Sequence, residues 1–260
     1  MLARKSGKIV DESTFHPSVI EGVERQARRH GMSTSFVSVD FSDLDAARPQ
    51  VESIAGDPSA AIVLLGTELG EEDFRLFRDC AAHIIVLDSW SDQYDFDAVV
   101  MSNEDSTLRA VNYLIEHGHR KIGYLAGDFR IQNFKARERG FERALSEAGI
   151  EVEPAWRVSL GTTLETAYED MAAWLASTPR ERLPTAFFAD NDVLAVGAFS
   201  NPPLTTVHVL KHEVGEIAVR RLVGNIRSPK VYTCRTMVST YFVERRSVKS
   251  TNGTPRPIRA

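Results

Sequence analysis

Apolar runs rich in β-branched residues alternate with segments of helical period along the chain, and this alternation predicts parallel sheets covered by helices. The predicted strands are Ser35–Val39, Ala61–Leu65, His83–Leu87, Ala98–Met101, Lys121–Ala126, Val158–Leu160 and Thr185–Ala189. The predicted helices are Phe15–His30, a polar helix through the forties and early fifties, Glu71–Cys80, Glu104–His117, Phe134–Ala148, Leu164–Ala176 and Asp192–Phe199. The alternation of predicted strands and helices begins again after Gly118, so we expect two successive α/β lobes that divide near this residue.

Composition narrows the function classes. The 260 residues contain no apolar run long enough to cross a bilayer and no secretory signal pattern, so a cytoplasmic location is expected. The two cysteines, Cys80 and Cys234, are too few for a disulfide framework, and their spacing is not that of a metal site. They could form a single disulfide bond, but the favoured interpretation is two unrelated buried thiols. The net charge of -5 argues against general affinity for nucleic acid, although basic residues collect near both ends. No cofactor or metal is predicted.

Five motifs follow one another along most of the chain. They are GHRKIGYLAG at 118–127, RERGF at 137–141, NDVLAVGA at 191–198, PPLTTV at 202–207 and VERRSV at 243–248. In this order they resemble the effector-binding core of LacI/GalR-type bacterial transcription regulators. Each motif alone is weak, whereas the ordered set is specific.

The resemblance implies an α/β fold of the periplasmic-binding-protein-like type I class, with two lobes that each contain a mostly parallel sheet flanked by helices. It further implies that the chain crosses between the lobes near Gly118, His208 and Met237. The N-terminal lobe would comprise residues 1–118 and about 208–236, and the C-terminal lobe 119–207 and about 237–249. Residues 250–260 are expected to form a disordered tail.

The same resemblance implies that a small polar ligand, a sugar or sugar derivative, is held between the lobes. The residues that it nominates as ligand contacts are Phe15, His16, Trp90, Asp105, Asn133, Arg137 and Asn191. Several have plain structural alternatives. Asp105 could serve the first turn of a helix and Asn191 could cap one, while Phe15 could belong to the core and Arg137 to a solvated helix face.

Two junctions depart from the family pattern. Ile9-Val10 runs into Asp11 where a complete first strand is expected, and Ser200-Asn201 reaches PPLTTV without a further strand. We therefore hypothesise that residues of the natural polypeptide are omitted at both junctions. Thr162-Thr163 also stand where many sugar-binding members carry a stacking aromatic residue.

In the resembled family a helix-turn-helix domain precedes this core and binds operator DNA. We expect no such segment in this sequence, and Leu2-Ala3-Arg4 could at most be the last turn of a hinge helix. The expected function is effector sensing and homodimerisation. Effector binding would shift the protein between a state that can bind DNA and one that cannot. One alternative is a secreted solute-binding protein for sugar uptake. An enzyme is not expected, because no catalytic motif occurs in a suitable context.

Overall fold

The computed structural model describes residues 1–5, 15–199 and 203–251, which form eleven strands and eight helices. They group into two compact units. The first unit contains Met1–Met101, Ile131–Asn133 and Val209–Ser239, and the second contains Ser102–Arg130, Phe134–His208 and Thr240–Ala260. Both hypothesised omissions, and the predicted tail from residue 252 onward, lie outside the described residues.

The first unit is built on one six-stranded sheet in the order β10-β5-β4-β3-β1-β2, with every described pairing parallel. Its strands are β1 (Leu2–Arg4), β2 (Ser38–Asp40), β3 (Ala61–Leu65), β4 (His83–Leu87), β5 (Asp97–Met101) and β10 (Arg235–Val238). Its helices are α1 (Phe15–Arg29), α2 (Leu44–Ala55), α3 (Glu71–Phe74) and α8 (Lys211–Arg227).

Leu2–Arg4 corrects the expectation of a hinge turn. These residues form strand β1, which lies between β2 and β3 in the sheet. Ala3 is fully buried, and Leu2 pairs with both Ser38 and Leu65. Three residues are too few to show a period, so only the pairing with two neighbouring strands reveals this element.

Two apolar layers hold the first unit together. The aromatic side chains of Phe41, Phe74 and Phe77 pack with α2 and α3 in one layer. The other layer joins α1 and α8 to the sheet through residues such as Val19 and Val214. The sheet is therefore covered by helices on both faces, as strands with continuous apolar runs require.

The second unit contains a three-stranded parallel sheet in the order β7-β6-β8 and a separate antiparallel pair, β9 with β11. Its strands are β6 (Ile122–Gly127), β7 (Arg157–Leu160), β8 (Ala186–Ala189), β9 (Thr206–His208) and β11 (Tyr241–Val243). Its helices are α4 (Asn103–Glu116), α5 (Gln132–Glu147), whose first two residues belong to the first unit, α6 (Leu164–Ser177) and α7 (Asp192–Ala198).

Helix α4 lies in the second unit, whereas the division predicted near Gly118 assigns it to the N-terminal lobe. The reason is its apolar face. Val111, Tyr113 and Leu114 share a buried cluster with strand β6 and helix α5.

Most other predicted elements agree with the structure within a few residues. There are two clear exceptions. The strand predicted at Ser35–Val39 is shorter and lies at Ser38–Asp40. The helix predicted at Glu71–Cys80 divides into α3 and a 3-10 turn at Arg75–Phe77. Cys80 and Cys234 are free thiols and only half-buried. Within the described ranges, no helix combines the length and apolar character that a membrane span requires.

Candidate functional site

A buried polar cluster lies at the carboxyl ends of β3 and β4 in the first unit. His16 Nε2 lies 2.8 Å from Thr67 Oγ1, and the Thr67 hydroxyl donates to Asp88 Oδ2 at 2.7 Å. Asn133 Nδ2 donates to Asp88 Oδ1 at 2.8 Å and to the Asp88 carbonyl oxygen at 3.0 Å. None of the four residues is more than 4% exposed. The structure therefore links two of the predicted contacts to one carboxylate: Asn133 bonds Asp88 directly, and His16 is connected to Asp88 through the Thr67 hydroxyl.

Strand register explains why these groups meet. Leu65 pairs with Leu87 at the ends of β3 and β4, so Thr67 and Asp88 follow neighbouring parallel strands at the same sheet edge. Asp88 has φ 61°, in the left-handed region that a non-glycine residue seldom adopts. Such backbone conformations cost energy and concentrate at functional positions.

Gln132 joins the same edge, at the start of α5. Its Oε1 accepts from the Ser89 hydroxyl at 3.0 Å and from the Trp90 backbone N–H at 3.3 Å. Sequence reasoning missed Thr67, Asp88 and Gln132. The one available signal was their position directly after predicted strands or before a predicted helix, because ligands of open α/β sheets bind at the carboxyl ends of strands.

The two predicted aromatic contacts of the first unit pack against apolar layers. Phe15 begins α1, contacts the layer formed with α8, and meets the His16 ring edge-on with centroids 5.3 Å apart. Trp90 packs against the layer that contains Phe74, and the Arg235 guanidinium carbon lies 5.0 Å from its ring centre. Their predicted role as ligand-stacking walls stays a prediction.

Arg137 occupies a second polar cluster, within the second unit. Its Nε donates to Asn103 Oδ1 at 2.9 Å, and its Nη1 donates to the backbone oxygen of Asp190. Phe134 supports the guanidinium, whose carbon lies 5.6 Å from the ring centre. Arg137 is half-buried, so it does not lie on the solvated helix face that its arginine-rich surroundings would suggest.

A network of charges lies behind this arginine. The Asp190 carboxylate, which is 2% exposed, accepts from Tyr124 at 2.5 Å, from the Gly127 N–H at 2.9 Å and from Arg130. Glu138 accepts from Arg130 and Arg157, each at 2.8 Å. These bonds connect β6, β7, α5 and the turn after β8.

Burial and pairing act against each other on the pKa values of this network. Burial raises the pKa of the Asp190 carboxyl, and the nearby Arg130 charge opposes that shift. Burial would also raise the pKa of Glu138, but hydrogen bonds from Arg157 and the charge of Arg130 outweigh it, so this pKa lies below its ordinary value. Burial is the main reason why the pKa of Tyr124 is raised.

The remaining two predicted contacts, in the second unit, occupy helix termini. Asp105 is exposed in the first turn of α4, where the helix dipole favours a negative charge. Asn191 caps α7, because its Oδ1 accepts from the Leu194 N–H at 2.9 Å. These local roles are compatible with ligand contact, which stays a prediction for both. Over the described part of the chain, no three histidine, cysteine or acidic side chains are grouped suitably for a metal ion.

Comparisons with known proteins agree with the motifs. Residues 111–201 match the periplasmic binding protein-like domain. The HTH-type transcriptional repressor PurR of Mannheimia succiniciproducens is 28% identical over 266 residues, which covers 92% of this chain and 78% of the repressor.

Solved structures show the same fold. The transcriptional regulator CelR in complex with cellobiose has a TM-score of 0.79 at 20% identity, covering 95% of this chain and 83% of the regulator. A dimeric lac repressor with a C-terminal deletion has a TM-score of 0.78 at 20% identity, covering 96% and 98%. The predicted fold class and the predicted resemblance are confirmed: the chain has a periplasmic-binding-protein-like fold and is similar to transcription regulators of the LacI type.

Proposed function

We propose that this protein senses a small polar effector, sugar-like in its hydroxyl content, and regulates transcription as a homodimer. Operator DNA would be bound through an N-terminal domain of the family type. Effector binding would shift the protein between DNA-competent and DNA-incompetent states, since a ligand moves such an equilibrium by its differential affinity for the two. The CelR–cellobiose complex supports a sugar-like effector, and the dimeric lac repressor supports the homodimer.

The observation that carries this proposal is the buried cluster of His16, Thr67, Asp88 and Asn133. Burying a carboxylate with several polar groups is costly, and a stable fold does not need such a cluster at a sheet edge. Imidazole, amide and carboxylate groups together can donate to and accept from neighbouring hydroxyls. Polar groups in this position therefore favour recognition of a polyhydroxylated ligand over a purely structural role.

Arg137 is the second part of the proposed recognition chemistry. A guanidinium presents several N–H donors in a fixed plane, which suits two adjacent oxygen atoms. Phe15, Trp90, Asp105 and Asn191 belong to the proposal as further contacts, to be ranked by single alanine variants.

A thermal-shift screen tests the proposed function. The panel comprises pentoses, hexoses, disaccharides, sugar phosphates and nucleobases, because a ligand that binds only the folded state raises its melting temperature. At a hundredfold excess over Kd the stabilisation is about 2.7 kcal/mol, and a shift of roughly 2–4 °C per kcal/mol is expected for a chain of this size.

Two variants test whether a ligand that raises the melting temperature binds at the proposed site. Asn133→Ala and Arg137→Ala should each abolish the shift. Arg143→Ala is the matched control, because Arg143 is an exposed arginine on the same helix that pairs with Glu147 at 2.8 Å. A shift that survives in both site variants would contradict the proposed site, and a panel without any hit would contradict a sugar-like or nucleobase effector.

A further inference from the structure

A narrow pocket opens at the amino ends of β6 and β7 in the second unit. Its floor is formed by Ile122 and Tyr124 from β6 and by Phe141 from α5, each of which is 3% exposed. The rings of Tyr124 and Phe141 contact each other, with centroids 4.9 Å apart. Because open α/β sheets bind their principal ligand at the carboxyl ends of the strands, this pocket lies away from the proposed effector contacts.

The segment that precedes β7 forms one wall of the pocket. Val152 is apolar but 46% exposed, and the half-buried Trp156 ends the 3-10 turn Pro154–Trp156. Trp156 Nε1 donates to the Arg182 carbonyl oxygen at 2.7 Å, which holds the indole ring in place. An apolar side chain beside a fixed aromatic ring offers a surface for the hydrocarbon part of a guest.

The lining of the pocket is acidic. It contains the carboxylates of Glu138, Glu142 and Glu153, but Arg157 is its one cation. Arg157 Nε donates to Glu138 at 2.8 Å, and its guanidinium carbon lies 5.9 Å from the centre of the Tyr124 ring. Within the described ranges, Glu142 and Glu153 form no ion pair. Two negative charges of the lining are therefore uncompensated.

The neighbouring arginines on this side of the unit are already paired. Arg130 also bonds Glu138, but it is bonded to the buried Asp190 carboxylate as well, which balances its charge. Arg143 pairs with Glu147 at 2.8 Å. The surplus of negative charge at the mouth of the pocket therefore favours a cation from outside the chain.

The size of the pocket selects the kind of cation. Its volume of about 20 Å³ admits a group little larger than a water molecule. A primary ammonium is a compact charge with three N–H donors, whereas a guanidinium is a broad planar fork. The space therefore suits an ammonium head, with the rest of the guest lying outside on Val152 and Trp156.

We propose that this pocket binds the primary ammonium group of a small alkylamine. The ammonium donates to the carboxylates of Glu142 and Glu153 above the aromatic floor, and the alkyl chain packs on Trp156. Charge-assisted hydrogen bonds and the attraction between a cation and an aromatic face both favour this ligand over a neutral one. The inference goes beyond the proposed function, because it concerns a second ligand and requires no effector.

NMR of the indole N–H groups tests the inference. The sequence contains three tryptophans, and Trp156→Phe identifies the signal of Trp156. The probes are n-butylamine, which is protonated at neutral pH, and n-butanol, its neutral counterpart. The Trp156 signal should shift saturably with n-butylamine, which should bind about fivefold or more tightly than n-butanol. Tetramethylammonium, a larger cation without N–H donors, should bind more weakly than n-butylamine.

Matched variants identify the carboxylates as the origin of this preference. The double variant Glu142→Gln/Glu153→Gln keeps the side-chain sizes and should reduce the amine-to-alcohol affinity ratio to near one. An amide oxygen at position 153 can still accept from the Ala155 N–H, as Glu153 does at 3.1 Å. Glu147→Gln changes an exposed acid on α5 outside the lining and should leave the ratio unchanged. Added salt should weaken the amine more than the alcohol.

Three results would overturn the proposed site. The first is a Trp156 signal that does not shift saturably with n-butylamine up to roughly 50 mM, a range that covers weak binding. The second is equal affinity for n-butylamine and n-butanol, or for n-butylamine and tetramethylammonium. The third is a preference for the amine that persists in the double variant while circular dichroism shows a folded protein. None of these results bears on the effector screen.

Discussion

The Thr67 hydroxyl has a single proton, and this limits the arrangement of the first-unit cluster. Because that proton is donated to Asp88 Oδ2, the Thr67 oxygen acts as the acceptor towards His16. His16 therefore carries a proton on Nε2. One hydroxyl thus connects an imidazole to a buried carboxylate.

Thr67→Val tests this connection. The substitution preserves shape but leaves the His16 N–H and the Asp88 carboxylate each short of a buried partner, so the free energy of unfolding should fall by about 1–3 kcal/mol. Urea denaturation measures the loss. Thr67→Ser keeps the hydroxyl and should retain most of the stability. Equal losses in both variants would indicate that the methyl group, rather than the hydrogen bonds, stabilises this position.

Glu138 makes a pH-dependent contribution. Its pKa is lower in the folded protein than the ordinary value of 4.5, so the unfolded chain binds more protons under acidic conditions. The stabilisation is present at neutral pH and is lost as the pH falls below about 4.5 towards the folded pKa. Glu138→Gln should cost about 1–2 kcal/mol at pH 7, and the difference from the unaltered protein should shrink with acidification.

Glu142→Gln is the control for this effect, because Glu142 is an exposed acidic residue on the same helix. Its unfolding free energy should follow that of the unaltered protein from pH 7 to pH 3. A Glu138→Gln difference that does not vary with pH would exclude the ionic explanation.

At the scale of secondary-structure elements, α1 and α8 pack in unusually close contact. A Cβ atom on Gly215 would lie 2.3 Å from the Val19 carbonyl oxygen, and one on Gly22 would lie 2.2 Å from the His212 carbonyl oxygen. Backbone therefore meets backbone at this crossing, and no side-chain rotation could make room. Arg25 reinforces the pair with a 2.7 Å ion pair to Glu216.

Gly215→Ala should force the two helices apart. We expect a loss of about 1–3 kcal/mol in unfolding free energy, the usual range for overpacking. Gly224→Ala on the same helix should be neutral or stabilising by up to about 1 kcal/mol, because nothing lies within 4 Å of the added methyl group and alanine favours a helix. Thermal or urea unfolding compares the two, and similar values would contradict the close contact.

Local pattern was a good guide to elements of ordinary length. Ala61–Leu65 and His83–Leu87 are strands with the predicted bounds, and Glu104–His117 shifts by one residue at each end. The failures have physical causes. Strand β1 is too short to show a period, and the helix expected at Glu71–Cys80 tightens after Phe74 into a 3-10 turn.

At the scale of the whole molecule, the proposed homodimer gives a direct prediction. Sedimentation equilibrium should report about twice the chain mass of 28.9 kDa at micromolar concentration. The fitted mass should decrease on dilution if the association is reversible. A mass of one chain throughout the accessible concentration range would contradict the homodimer while leaving effector binding untouched.

The sequence by itself determined the class of fold, the order of most elements and the family resemblance, because periodicity and short motifs are local properties. It also nominated His16, Asn133 and Arg137. Only the tertiary structure decided which partners gather around them. Thr67 bonds His16 across 51 residues and Asp88 across 21, and Asn103 and Asp190 bond Arg137 across 34 and 53. Such contacts depend on strand register and helix packing, which no local window of sequence encodes.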